Sequence, residues 1–125
     1  MLKALRKHHI SFQNAFAGIL WAVRTQPNFR VHLVCSFIAL SLGLYFHITT
    51  VEMTIIVFTI LLGLAGEMIN TAIESVTDLV TTEWREQAKI AKDVSAGMML
   101  LIATGAVVVA VFIFSPYIFP LVHIN

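Results

Sequence analysis

Charge is what this chain has least of. Asp, Glu, Lys and Arg make up 12% of its 125 residues, against a usual share of about 25%. Eight basic and seven acidic residues leave a net charge of +1, so no nucleic acid or other polyanion is expected as a partner. The lone cysteine, Cys35, excludes a disulfide within the chain, and its apolar surroundings suit a small packing residue. No linker, internal repeat or low-complexity tract divides the sequence, which reads as one domain over residues 1–125. What the chain has instead is apolar length. Hydrophobic residues are 58% of it, and their long runs point to the bilayer as solvent.

The basic start, MLKALRKHH, could open a signal peptide, but Gln13 and Asn14 interrupt the apolar region that should follow, so no cleavage is expected. Four helical segments follow. In the first, about 11–25, Phe12, Phe16, Ile19, Leu20 and Val23 recur at helical spacing on one face. Ser11 is its expected N-cap. With Trp21 near its end, this segment is expected to lie on the membrane surface. Gln26-Pro27-Asn28 breaks it. Three spans are expected at about 31–48, 51–80 and 89–114, the last ended by Pro116 and Pro120. At about 1.5 Å per residue the middle one is a rod of roughly 45 Å, long enough to cross the bilayer and emerge.

The basic residues fix an orientation. Lys3, Arg6, Lys7, Arg24, Arg30, Arg85, Lys89 and Lys92 lie in the N-terminal arm and around the loop between the last two spans. Those two regions are therefore expected in the cytoplasm.

Against that apolar background, GEMINTAIESVTDLV (residues 66–80) stands out. At about 100° per residue, with Glu67 as zero, Asn70 falls near −60°, Glu74 near −20°, Asp78 near +20° and Thr71 near +40°. All five share one stripe, while Met68, Ile69, Ala72, Ile73, Val76 and Val80 take the other side. A carboxylate at membrane depth costs a few kcal/mol unless it faces protein, water or a cation. Lys92 can supply one positive charge, and a divalent metal two. Asp78, Glu83 and Glu86 serve equally well as the wet end of a helix leaving the membrane. Glu67, directly after LLGLAG, lies deepest and is the candidate functional group.

The helix E-M-I-N-T-A-I-E-S-V-T-D, the A-K-D that opens the last span and the N-F-R-x-H that opens the first (Asn28, Phe29, Arg30, His32) together resemble the bacterial integral-membrane diacylglycerol kinase and undecaprenol kinase family. The resemblance covers nearly the whole chain. It implies a homotrimer of three spans and a surface helix per subunit, with active sites shared between neighbours. It implies transfer of the γ-phosphate of MgATP to the hydroxyl of a membrane lipid, in the bacterial inner membrane. By position, Glu67 matches the family's catalytic base, which also meets the lipid hydroxyl, and Glu74 matches the metal ligand. Asn70, Lys92 and Asp93 match residues that place the nucleotide. Glu83, Trp84, Arg85, Lys7 and Asn14 fall where the loop, arm and surface helix approach it, and Ala96 falls near the lipid head. Gln26 stands where the family usually has a second metal-binding Glu, so here an amide oxygen would share the Mg²⁺. There is no Walker-type loop, in the family or in this sequence.

The motifs look closer to the undecaprenol kinase branch, although both candidate lipids present a primary hydroxyl at the interface. A different class is also compatible with the composition: a small membrane scaffold or proton-conducting subunit, in which Glu67 would carry protons. Small residues such as Gly63, Gly66, Ala103 and Gly105 suit close helix packing within or between subunits. The five histidines lack metal-ligand spacing and are expected at the interfaces.

Overall fold

The apolar runs form helices because lipid offers no partner for a free N–H or C=O, and a helix satisfies both internally. A computed structural model describes residues 2–122, with side chains from 11 to 120. Its described residues hold helices α1 (Leu2–Thr25), α2 (Pro27–Tyr45), α3 (Thr50–Val80) and α4 (Glu86–Val122), and no strand. Segments Pro27–Tyr45, Thr50–Val80 and Glu86–Pro120 are long and apolar enough to cross a membrane. The all-α reading with three candidate spans holds, and several boundaries move.

α1 starts at Leu2, so Ser11 lies inside a helix and is no N-cap. No Gly or Pro precedes Gly18, and Leu, Lys, Ala and Arg all favour helix, so nothing delays the start. The break before α2 is a single residue. Gln26 is extended at φ −98°, ψ 108°, as the residue before a proline prefers. Pro27 then occupies the first helical position, where its missing N–H has no partner to lose. This brings Asn28, Phe29 and Arg30 into the first turn, ahead of the expected start at 31.

α2 also ends earlier than expected, at Tyr45, because a tight cap stops it. His47 sits in the left-handed region at φ 52°, which usually favours glycine. Its N–H donates to the Leu44 carbonyl at 3.2 Å, and the Ile48 N–H donates to the Gly43 carbonyl at 3.1 Å. α3 begins at once in a capping box: the Glu52 N–H donates to Thr49 Oγ1, and Glu52 Oε2 accepts from the Thr49 N–H at 2.8 Å.

Pro116 and Pro120 do not end α4, which runs through both. Each proline removes one bond to the carbonyl four residues back, but the rest of the ladder and the packing persist. Ile113 and Phe114 are buried against Ile56 of α3. Tyr117, between the prolines, donates from its hydroxyl to Glu52 Oε2 at 2.8 Å, and its ring lies 6.0 Å from that of Phe46. These contacts hold the last turns where a free proline-bearing end would fray.

Packing is polarised along the bundle. α3 lies between α2 and α4, and α1 packs chiefly on α2, with Ala22 and Phe29 buried. Near the α2–α3 turn the buried set is apolar. Half a bundle away it is polar: Glu67, Asn70 and Thr71 of α3 and Ser95. Large apolar side chains such as Phe37, Leu101 and Phe112 point outward. Water would reverse that arrangement; lipid allows it.

Because Glu52 takes donors from both Thr49 and Tyr117, Tyr117→Phe removes a hydrogen bond that joins the two helices here. The expected outcome is a lower Tm in detergent, with Tyr45→Phe, on an outward-facing ring, leaving Tm unchanged; thermal unfolding of both variants checks it.

Candidate functional site

The inner part of the acidic stripe of α3, Glu67, Asn70 and Thr71, is packed, whereas Asp78 and the apolar side carrying Ile69, Val76 and Val80 are exposed. Polar atoms therefore turn toward α2 and α4. Gly66 makes the approach of α4 possible: a Cβ there would come within 2.6 Å of Ile102 Cδ1 and 3.1 Å of Met99 Sδ. The stripe meets its neighbours at three levels.

At the deepest level Glu67 is 3% exposed. It lines a cavity of about 320 Å³ with Asn28 and His32 of α2 and with Met99, Leu100 and Ala103 of α4. An apolar groove of about 400 Å³ continues from it, sharing Val31, His32 and Ala103. One turn along, Ser95 Oγ donates to Asn70 Oδ1, and Asn70 Nδ2 donates to Glu74 Oε1 at 3.0 Å. Asn70 thus uses both ends of its amide and sets the orientation of the half-buried Glu74 carboxylate.

At the third level, Lys92 Nζ donates to Asp78 Oδ1 at 2.5 Å. A cleft of about 480 Å³ opens here between the end of α3, the connection and the start of α4. Asp78, Glu83, Trp84, Arg85, Lys92 and Asp93 all line it. Glu83 pairs with Arg85 at 2.8 Å, and Asp93 pairs with Lys89 one turn before it. The cleft has cations, acids and an exposed indole, the groups that receive phosphates and a base.

Of the residues singled out in the sequence, Glu67, Asn70, Glu74, Lys92 and Asp93 thus fall along one α3–α4 seam, with Glu83, Trp84 and Arg85 at its end. Others stand apart within a single chain. Gln26, at the α1–α2 break, donates to Thr25 Oγ1, and no described hydrogen bond links it to Glu74. Asn14 is exposed on α1, Ala96 is exposed on α4, and the Lys7 side chain lies outside the described residues. Three participants escaped sequence reasoning. Ser95 partners Asn70 across 25 residues, a separation that no motif marks, whereas Lys89 stands four residues before Asp93, a helical ion-pair spacing that the sequence does show. His32 was assigned to an interface, yet it lines the Glu67 cavity; the available signal was an ionisable residue inside a run without Lys, Arg, Asp or Glu.

The donors fit Mg²⁺ in kind. Glu74 and Gln26 offer hard oxygens, and no group of three or more His, Cys, Asp or Glu gathers among the described residues.

Comparison with known proteins gives the same direction. The family model described as prokaryotic diacylglycerol kinase matches residues 13–114. The chain is 40% identical over 101 residues to a diacylglycerol kinase of Synechocystis sp., a match covering 80% of this chain but 58% of that longer protein. It is 34% identical over 113 residues to an undecaprenol kinase of Bacillus subtilis, covering 90% of this chain and 91% of that one. A diacylglycerol kinase of Haemophilus influenzae is 29% identical over 83 residues, 66% of this chain and 70% of that one.

The buried and exposed contacts of the seam differ in worth. Ser95→Ala leaves the Asn70 carbonyl oxygen without its donor and is expected to cost about 1–3 kcal/mol. Asp78→Ala removes an ion pair whose side chains are 63% and 41% exposed, and is expected to cost less than about 1 kcal/mol. Denaturant or thermal unfolding in mixed micelles ranks the two.

Proposed function

The chain belongs to the prokaryotic diacylglycerol kinase family, and from that premise we propose that it moves the γ-phosphate of MgATP to the hydroxyl of a membrane lipid. The observation that carries the reading is the seam: a carboxylate buried at membrane depth, continuous along one helix face with a charged cleft at the helix end. A lipid kinase needs both, since its acceptor stays in the bilayer and its donor comes from water.

Phosphoryl transfer asks mostly for positioning and charge neutralisation. Glu67 is the base. It takes the proton of the acceptor hydroxyl as that oxygen bonds to phosphorus, and its burial keeps water from competing for the phosphoryl group. Glu74, oriented by Asn70, would hold Mg²⁺ with the amide oxygen of Gln26; when bound, the ion neutralises the phosphates. Lys92 and Asp93 place the triphosphate, with Asp78 holding Lys92 in the cleft until phosphate replaces it. Glu83, Trp84 and Arg85 receive the rest of the nucleotide. Ala96 leaves room for the lipid head.

Gln26, Asn14 and Lys7 complete this set in a homotrimer with shared active sites, in which α1 and the start of α2 come from a neighbouring subunit. The protein sits in the bacterial inner membrane, with α1 on its surface and the N-terminus and α3–α4 connection in the cytoplasm, as the eight basic residues favour. Undecaprenol is the preferred acceptor over diacylglycerol. The match along nearly the full length of the Bacillus undecaprenol kinase supports this choice.

Glu67→Gln is expected to lower turnover by at least about 10²-fold while MgATP still raises Tm; normal turnover would remove Glu67 as base. Glu74→Ala is expected to lose the MgATP-dependent rise in Tm. Labelled ATP with each lipid in turn decides the acceptor, and faster transfer to diacylglycerol would reverse the assignment.

A further inference from the structure

The cavity around Glu67 contains a second titratable side chain that the reading above leaves without a role. His32 comes from α2, and its imidazole rests against α3 at Gly63, one turn before Glu67. A Cβ on Gly63 would lie 3.4 Å from His32 Nδ1, so the ring packs directly over the glycine. His32 and Glu67 line the same cavity, with Asn28 one turn earlier on α2 at its exposed rim. The electrostatic neighbours of Glu67 are His32 and, two turns along α3, Glu74. From α4 the cavity receives only Met99, Leu100 and Ala103. The hydrogen bonds of the stripe run through Asn70 and bypass Glu67.

This placement matters because the proposed reaction creates a proton in a dry site. The acceptor O–H bond breaks as its oxygen bonds to the γ-phosphorus, and the bond from that phosphorus to the bridging oxygen of ADP breaks. The proton goes to Glu67, which is 3% exposed. It must leave before the next turnover. Resting on the base role proposed for Glu67, we infer that His32 is a positioning residue that acts through Glu67, receiving its proton on a ring nitrogen and passing it to water at the Asn28 rim. Atoms balance: the carboxylate is regenerated, and the imidazolium returns to imidazole when the proton leaves. An ionisable side chain at membrane depth that faces a cavity and a carboxylate suits such a relay.

The full chain, in detergent with undecaprenol and labelled ATP, tests this. His32→Ala is expected to lower kcat by about 10²-fold with KM for MgATP unchanged, and imidazole added to the buffer is expected to restore part of the rate. His32→Gln replaces the ring with a side chain of similar reach that cannot accept the proton; it is expected to stay slow, unrescued by imidazole. An undiminished MgATP-dependent rise in Tm certifies that each variant folds. Wild-type kcat in His32→Gln, or no imidazole rescue of His32→Ala, would overturn the relay. Glu67→Gln run alongside separates the two levels. If it is inactive while His32→Gln turns over normally, only the relay fails. If it turns over normally, the base assignment fails with it.

Discussion

The hydrogen bond from Ser95 to Asn70 joins the two longest helices where neither can find water. Ser95 is 2% exposed and Asn70 6%. Each would carry a desolvation cost alone, and the bond removes it. The bond also fixes the rotation of α3 against α4. Once Asn70 faces Ser95, the helical period carries Glu67 inward on one side and Glu74 and Asp78 toward Lys92 on the other. The amide N–H of Asn70 then donates to Glu74 and orients it. The site is thus a consequence of satisfying an amide in the membrane.

The two ends of the bundle answer different demands. Near the α2–α3 turn, Ile56, Ile113 and Phe114 interlock, and Glu52, Thr49 and Tyr117 close the corner. That end holds the spans together. The other end exchanges apolar packing for polar contacts and leaves a cavity beside Glu67 and a cleft beside Lys92. Packing at one end leaves the other with room on both sides of α3. The ion pairs in the cleft, Lys92 with Asp78 and Arg85 with Glu83, are exposed and of small worth, so phosphate can replace them at little cost.

Much of this was legible in the chain. The helical period placed Glu67, Asn70, Thr71, Glu74 and Asp78 on one face, and the structure buries Glu67, Asn70 and Thr71 against neighbouring helices. The number of spans followed from apolar length. Helix ends were less legible. Pro116 and Pro120 read as stops because proline breaks helices in water, while packing of Phe114 and Tyr117 carries α4 past them. Ser11 read as a cap because the polar residues before it hid a continuous helix. His47 gave no sign of its left-handed backbone, which a glycine would have announced. Partners across helices, Ser95 for Asn70 and His32 for Glu67, are set by rotation and close approach, and no local spacing encodes those.

The turn between α2 and α3 bears on how the protein enters its membrane. The stop at His47 and the box at Thr49 and Glu52 are built from eleven neighbouring residues or fewer, so they can form before the rest of the chain is made. The first two spans can therefore insert as a closed hairpin whose exposed polar ends are already matched. Glu52 takes its two donors from Thr49 at that stage, and Tyr117 joins it only when the final span arrives. The last helix is thus the one that completes both this corner and the polar seam.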